Sequence, residues 1–288
     1  MVDLTVIILT KNEEQNIAKC IQSLKDLPKR IVLIDSYSTD STAQIATELG
    51  AEVVLHPFEN HAAQFNWGLE NLQLDTQWIM RLDADEELLP ELVTELEERL
   101  PTLPANVTGM ILRRRVYFMG RWLKHGGKYP ELLLRVFRRG HGRSEMRQMD
   151  EHLVVLDGET VTSKFDFLDN NQKNLEWWTA KHNWYSNKEV LDCLGIEEDT
   201  AVEVGSSSKQ ARAKRAIKKH GYYRLPPFFR AHLYFIYRYY FRLGFLDGKE
   251  GKIYTFLQAY WYRFLVDAKL YECAKNGTRP NEQKDLKN

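Results

Sequence analysis

"LTVIILTKNEEQNIAKCIQSLKDL", residues 4–27, changes period once, and that change sets the fold class. Residues 4–9 form a β-branched apolar run that suits a strand buried on both faces. From residue 12 onward the apolar positions are Ile17, Cys20, Ile21 and Leu24, which is helical spacing. The alternation then repeats. "RIVLID" (30–35) is a second strand, followed by the helix-capping residues Ser38, Thr39 and Asp40 and a helix that ends at Gly50. "AEVVLH" (51–56) is a third strand, "AAQFNWGLENL" (62–72) a helix and "QWIMRLD" (77–83) a fourth strand. Pro90 suits the first turn of the helix "ELVTELEERL". Strands alternating with helices imply βαβ units, hence an α/β, Rossmann-like fold with a mostly parallel sheet and flanking helices.

Beyond residue 105 the pattern loosens. "GMILRRRVYFMG" (109–120) and "ELLLRVFRR" (131–139) read as strands joined through a loop at His125-Gly126-Gly127. "EHLVVLDGETV" (151–161) reads as a hairpin turning at Asp157-Gly158, and residues 174–191 return to helix. A polar, Ser-rich connection (195–210) leads into a basic and aromatic helical region reaching about residue 273. Residues 1–104 and 105–194 are thus expected to form two halves of one domain. Residues 195–273 form a C-terminal amphipathic helical region, and 274–288 a disordered tail.

Composition narrows the function classes. The chain has 288 residues, 40 basic and 40 acidic, so no global field favours nucleic acid. The signs are segregated, however: residues 83–98 are acidic, whereas 209–242 carry ten Lys and Arg. Cys20, Cys193 and Cys273 are odd in number and widely spaced, which fits buried structural thiols rather than a disulfide framework or zinc site. The N-terminus lacks the pattern of a signal peptide, and no uncharged stretch reaches the roughly 18 residues of a membrane span. A cytoplasmic location is expected, with membrane contact only at the surface.

In open α/β sheets ligands gather at the carboxyl ends of the strands. Here those ends carry Thr10-Lys11-Asn12-Glu13, Asp35-Ser36 and Asp83-Ala84-Asp85. Neither GxGxxG nor GxxxxGK[ST] occurs, so a bound phosphate needs another source of positive charge. A divalent ion such as Mn²⁺ or Mg²⁺ on Asp83 and Asp85 supplies it. Two acids one residue apart also mark aspartyl-phosphate phosphohydrolases, but those place the pair after the first strand, followed by Thr or Val. Here the pair follows the fourth strand and precedes Glu86-Glu87, two acids expected at a helix start or loop rim.

Together, "VIILTKNEEQNIAKCIQSL", "IVLIDSYSTDSTAQIA", "AAQFNWGLE" and "WIMRLDADEEL" resemble the nucleotide-sugar half of family 2 inverting glycosyltransferases, which have the GT-A fold. The resemblance implies that Thr10, Asn12, Glu13 and Asp35 hold the base and ribose of a UDP-sugar. Asp83 and Asp85 then carry the metal on its diphosphate. It also places Asn66, with Gln64 and Gly68, on a helix near the nucleotide, although this helix lacks the basic residue usual at its start. "MRQMDEHLVV" (146–155) matches the region of the catalytic base, which the resemblance assigns to Glu151, with Asp150 and His152 beside it. His152 orients the base, touches phosphate or simply faces solvent. "YPELLLRVFRR" resembles a segment near the acceptor, so Arg135 faces the diphosphate or lies on an exposed strand face. In "WWTAKHNWYSNKE" (177–189), Lys181, His182 and Tyr185 share helical spacing, and either reach phosphate or acceptor or pack against the sheet. Where the family has a His before this helix, the chain has "KFDFLDNN".

In "YYRLPPFFRAHLYFIYRYYFRLGFLDGKEG" (222–251), Arg residues recur at helical spacing among aromatics. That pattern fits helices lying in a membrane interface, or a helical pair packed over the core. "GFLDGKEG" and "FLVDAKLYE" resemble the C-terminus of bacterial lipopolysaccharide-core glucosyltransferases, extending the resemblance over most of residues 3–272. It implies transfer of a hexose, glucose first, from a UDP-sugar to a glycan or lipid-linked glycan acceptor at the cytoplasmic face of the inner membrane. A sugar-nucleotide-forming nucleotidyltransferase wants a Gly-rich basic loop where this chain has the acidic "LTKNEEQN". A non-catalytic sugar-nucleotide-binding protein has no need of both the acid pair and Glu151.

Overall fold

The structure is a computed structural model that describes residues 1–146, 152–194, 221–278 and 280. Strand β1 (Val2–Thr10) is buried over nearly its whole length and sits between parallel neighbours on both sides. Those neighbours are β2 (Pro28–Asp35) and β4 (Trp78–Asp83), and β3 (Glu52–Leu55) adds to β2, also parallel. Alternate β1 side chains serve two cores. Leu4, Val6 and Ile8 pack with helices α1 (Ile17–Leu24) and α4 (Pro90–Arg99). Ile7 and Leu9 pack with Phe65 of α3 (His61–Asn71) on the other face. Helix α2 (Thr42–Glu48) begins a few residues after the expected caps, with Asp40 accepting from the Thr42 N–H.

The second half extends the same sheet. β8 (Glu131–Arg138) runs antiparallel between β4 and β6 (Val107–Phe118), and β6 pairs in parallel with β11 (Glu159–Asp169). The full order is β3-β2-β1-β4-β8-β6-β11-β5, where β5 is Glu86–Leu88, with the two-residue strand β7 (Arg121–Trp122) on β6.

Expectations for the hairpin, the acid pair Glu86-Glu87 and Cys193 need correction. The hairpin at Asp157-Gly158 does not form: β10 (Leu153–Val155) pairs instead with β9 (Gly142–Ser144), and β11 joins β6. Leu153 and Val155 are drawn into the core of Phe65 and Phe137, which outweighs the local turn signal. Glu86 and Glu87 are neither helix-start acids nor a loop rim. They belong to strand β5 (Glu86–Leu88), antiparallel to the end of β11. Cys193 is exposed at the end of helix α5 (Leu175–Cys193), whereas Cys20 and Cys273 are buried as expected.

The β11–β6 ladder breaks between Thr162 and Asp166, and a buried carboxylate repairs the break. Glu95 of α4 accepts from the backbone N–H groups of Lys164 and Phe165 at 2.9 and 3.0 Å, and pairs with Arg99. Glu95→Ala leaves two backbone donors without their acceptor. It is expected to cost about 3 kcal/mol, read as a lower urea midpoint at unchanged slope.

The C-terminal region packs on the second half. Helix α6 (Phe229–Ile236) runs into a π-helical turn, Tyr237–Phe241. Helix α7 (Gly248–Thr255) continues through another, Phe256–Trp261, into α8 (Tyr262–Asn276). Tyr254 packs on Phe118 of β6, and Tyr262 donates to the buried Glu189 of α5 at 2.6 Å. The helix therefore outlasts the expected start of the tail at 274, ending where Gly277 takes a left-handed φ of 62°. Residues 195–220, 279 and 281–288, which hold the Ser-rich connection and most of the expected tail, lie outside the described residues. No helix among the described residues is long and apolar enough to cross a membrane.

Candidate active site

Sheet order reverses at β1, and parallel register brings three strand ends level there. Thr10 pairs across the ladder with Asp35, and Leu9 with Asp83. A cleft of about 410 Å³ opens at this edge, within the range of about 300–1,000 Å³ usual for small-molecule sites. Its floor includes Thr10, Lys11, Glu13 and the turn Asp83-Ala84-Asp85-Glu86. One wall carries Phe58, His61 and Gln64, and the other Trp177, Lys181, Trp184 and Tyr185 of α5.

Asp35 is buried beneath this floor. It accepts from Thr10 Oγ1 at 3.0 Å, from the Ser38 N–H at 2.7 Å and from Ser38 Oγ at 2.5 Å. Asn12, at a left-handed φ of 54°, donates its backbone N–H to Ser38 Oγ and accepts from the Thr39 N–H at 2.8 Å. The two loops after β1 and β2 are thereby locked together. Glu13 accepts from Lys173 Nζ and Asn16 Nδ2, each at 2.6 Å. Burial, with Asp85 adding to it, pushes the Glu13 carboxyl above its usual range against the pull of Lys173.

The acid turn stands on a lattice of guanidinium groups. Asp83 accepts from Arg81 at 3.3 Å and Arg135 at 3.1 Å, and Arg135 also pairs with Glu86. Burial opposes ionisation of Asp83, but Arg135, Arg81 and His61 outweigh it and hold its carboxyl well below the usual range. Glu86 is pushed upward by burial and by Asp83 despite Arg135. Arg114 pairs with Glu131 at 2.6 Å and with Asp169 at 3.1 Å.

Asp85 differs from these acids. Among the described residues its carboxylate has no ion pair and accepts one hydrogen bond, from Asn171 Nδ2 at 2.8 Å. Its charge is one of the influences that raise Asp169, to about 6, chiefly through burial of that carboxyl. Lys181 lies nearby, with its ammonium 4.6 Å from the Trp177 ring centre and 5.7 Å from that of Tyr185. Burial opposes its charge, yet Tyr185, Asp85, Glu13 and Asp169 hold its pKa above the ordinary value.

The structure therefore brings Thr10, Glu13, Asp83, Asp85 and Lys181 to one cleft, with Asp35 and Asn12 bracing its floor. Arg135 lies behind the lining as the counter-charge of Asp83 and Glu86, on neither an exposed face nor the cleft surface. Asn66 turns away and clasps the Ser144 backbone, donating at 3.0 Å and accepting at 2.9 Å. His182 packs under the helices, its ring stacked 3.5 Å from that of Trp178 and its Nδ1 2.8 Å from the Trp178 carbonyl oxygen. Asp150 and Glu151 lie outside the described residues. His152 is half-buried, and its carbonyl accepts from the Glu145 N–H at 2.9 Å. Sequence reading missed Asp169, Lys173 and Arg114. A parallel strand over 159–169 would mark Asp169 as a strand-end acid, which the hairpin reading conceals.

Burial pushes the His182 imidazole from 6.5 down to about 4. The folded state thus binds fewer protons than the unfolded chain between these values, so this stabilising contribution is present above 6.5 and lost as pH falls toward 4. His61, pushed down to about 3 by burial and Arg81, acts in the same direction. His182→Gln is expected to reduce, without removing, the fall of the thermal unfolding midpoint over that window.

The pattern of Glycosyl transferase family 2 matches residues 5–170. The chain is 28% identical to the lipopolysaccharide core biosynthesis glycosyltransferase LpsC of Rhizobium meliloti (strain 1021), over 96% of this chain and 95% of that protein. An uncharacterized glycosyltransferase of Rickettsia felis is 40% identical over 97 residues, 34% of each chain. Among solved structures, the mannosyltransferase PcManGT of Pyrobaculum calidifontis, in complex with GDP-Man and Mn²⁺, aligns with a TM-score of 0.54 at 14% identity. The alignment covers 93% of this chain and 87% of that one. The shared architecture is the GT-A fold. With strand-end acids level at the sheet's switch point and the family pattern spanning that whole half, the chain belongs to Glycosyl transferase family 2.

Proposed function

We propose that the protein is a metal-dependent, inverting hexosyltransferase. It moves a hexose, glucose first, from a UDP-sugar to a hydroxyl of a bacterial cell-surface glycan at the cytoplasmic face of the inner membrane. The acceptor is a lipopolysaccharide core, lipooligosaccharide or capsule precursor, a class supported by the name of the LpsC relative. The observation that carries this reading is Asp85. It is a carboxylate at the switch point with no ion pair among the described residues, beside an Asp83 held ionised by arginines.

The donor set suits Mn²⁺ or Mg²⁺ on carboxylate oxygen. Asp85 would hold the ion directly. Asp83, with both oxygens already engaged by guanidinium groups, would support it. Among the described residues no three ligating side chains converge, so substrate oxygens and water would complete the shell. Bound there, the ion supplies Lewis-acid stabilisation to the departing diphosphate.

The chain's own residues do the rest. Asp35, Thr10, Asn12 and Glu13 shape the nucleoside end, and Lys181 faces the phosphates with a charge its aromatic neighbours do not neutralise. Glu151 accepts the proton of the acceptor hydroxyl as that oxygen bonds to the sugar C1. The bond from C1 to the phosphate oxygen breaks on the opposite face, the nucleoside diphosphate leaves with the electron pair, and C1 inverts. The test is release of nucleoside diphosphate from a panel of UDP-, GDP- and TDP-sugars with Mn²⁺. Turnover is expected with a UDP-hexose, rising when bacterial glycolipid is added. Turnover of none, without metal-dependent nucleotide binding, rejects the enzyme reading.

A further inference from the structure

The C-terminal helices carry more exposed apolar surface than folding requires. Within residues 236–256 the large side chains left exposed include Tyr240, Phe241, Phe245, Leu246 and Phe256, and Phe241 is 75% exposed. Ring contacts link several of them. Phe235 and Tyr239 stack at 5.4 Å, and Tyr239 touches Tyr240 and Phe245, at 5.1 and 6.2 Å between ring centres. Phe235 reaches Phe256 at 6.4 Å, so the α6 turn and the α7 face share an aromatic floor. A contiguous exposed apolar face of this kind marks an interaction site.

The charges around it choose the partner. The exposed charged residues of 236–256 are Arg242, Lys249 and Lys252, all basic. The two acids of the segment are withdrawn: Asp247 is buried against His125, and Glu250 lies 3.7 Å from Arg121. Aliphatic side chains such as Ile236, Leu243, Leu246 and Ile253 offer nothing for nucleobases to stack on, which disfavours single-stranded nucleic acid. The chain's own segment 209–219 holds six Lys and Arg, and like charge disfavours it as a cover. Apolar and aromatic side chains fringed by cations match an anionic lipid interface.

We propose that this α6–α7 face docks on an anionic phospholipid surface, with Phe241, Phe245 and Leu246 inserting among the acyl chains and Arg242, Lys249 and Lys252 at the headgroups. Hydrogen bonds tie this face to the second half of the sheet domain. Asp247 accepts from the His125 N–H at 2.8 Å and lies 2.7 Å from His125 Nδ1, and the Gly126 N–H donates to the Arg242 carbonyl at 2.8 Å. The loop between β7 and β8 is thereby fastened to the docking face. This rests on the membrane-side placement proposed above and names its surface and lipid.

Lipid binding is read without nucleotide, by co-sedimentation with phosphatidylcholine vesicles that contain or lack phosphatidylglycerol. The expected result is pelleting with the anionic vesicles, weakened by salt. Affinity is expected to fall about tenfold or more in Phe241→Ser/Leu246→Ser, with an unchanged thermal midpoint because both side chains are exposed. Lys249→Gln/Lys252→Gln is expected to lose the preference for anionic vesicles. Absence of pelleting, or equal binding to both vesicle types, overturns the proposal. So does a concentration-dependent dimer, abolished by the apolar double variant, in protein that ignores vesicles. Loss of turnover with vesicle binding intact would count against the transferase reading alone.

Discussion

Asp85→Asn is expected to weaken donor binding in the presence of Mn²⁺ by at least about a hundredfold while the fold stays intact. The substitution keeps the shape of the side chain and an oxygen for the Asn171 amide, which donates at 2.8 Å. What it removes is a negative charge with no ion-pair partner among the described residues. That charge adds to the upward shifts of Glu13 and Asp169, so its loss relieves that repulsion, while Lys181 gives up one of the carboxylates that support its charge. The thermal midpoint should therefore change little as donor binding is lost, the pattern of a group kept for function and not for stability. Binding is measured by calorimetry and stability by thermal unfolding of the same preparation. A fall in stability with donor binding unchanged would show a structural acid instead.

Glu151→Gln is expected to spare donor binding and lower kcat by about 10²- to 10⁴-fold, the usual contribution of a general base. The amide keeps the size of the carboxylate but cannot accept the acceptor's proton. The loss should appear in kcat and kcat/KM alike, with the donor KM little changed. If Glu151→Gln stays active, the assignment is wrong and Asp150 is the next residue to replace.

The first half of the molecule was legible because its order is local. β1, α1, β2, α2, β3, α3 and β4 follow one another with short connections and clear periods, and parallel pairing then sets Thr10, Asp35 and Asp83 level. The second half depends on distant partners that no local window displays. Arg135 meets Asp83 across 52 positions, and Lys173 meets Glu13 across 160. Asp157-Gly158 carries a sound turn signal, but Leu153 and Val155 gain more by entering the core beside β9. Glu86 looked peripheral because its strand is three residues long and exists only through pairing with β11. Arg135 was recognised, yet its task is to hold the acid turn in place.

The central claim is that the cleft binds a nucleoside diphosphate through a divalent ion at Asp85. Calorimetric titration of the wild-type protein with UDP, in Mn²⁺ and again in chelator, tests it most directly. The account predicts saturable binding in Mn²⁺ that collapses when the metal is removed. Equal affinity in both conditions, or none in either, would contradict it.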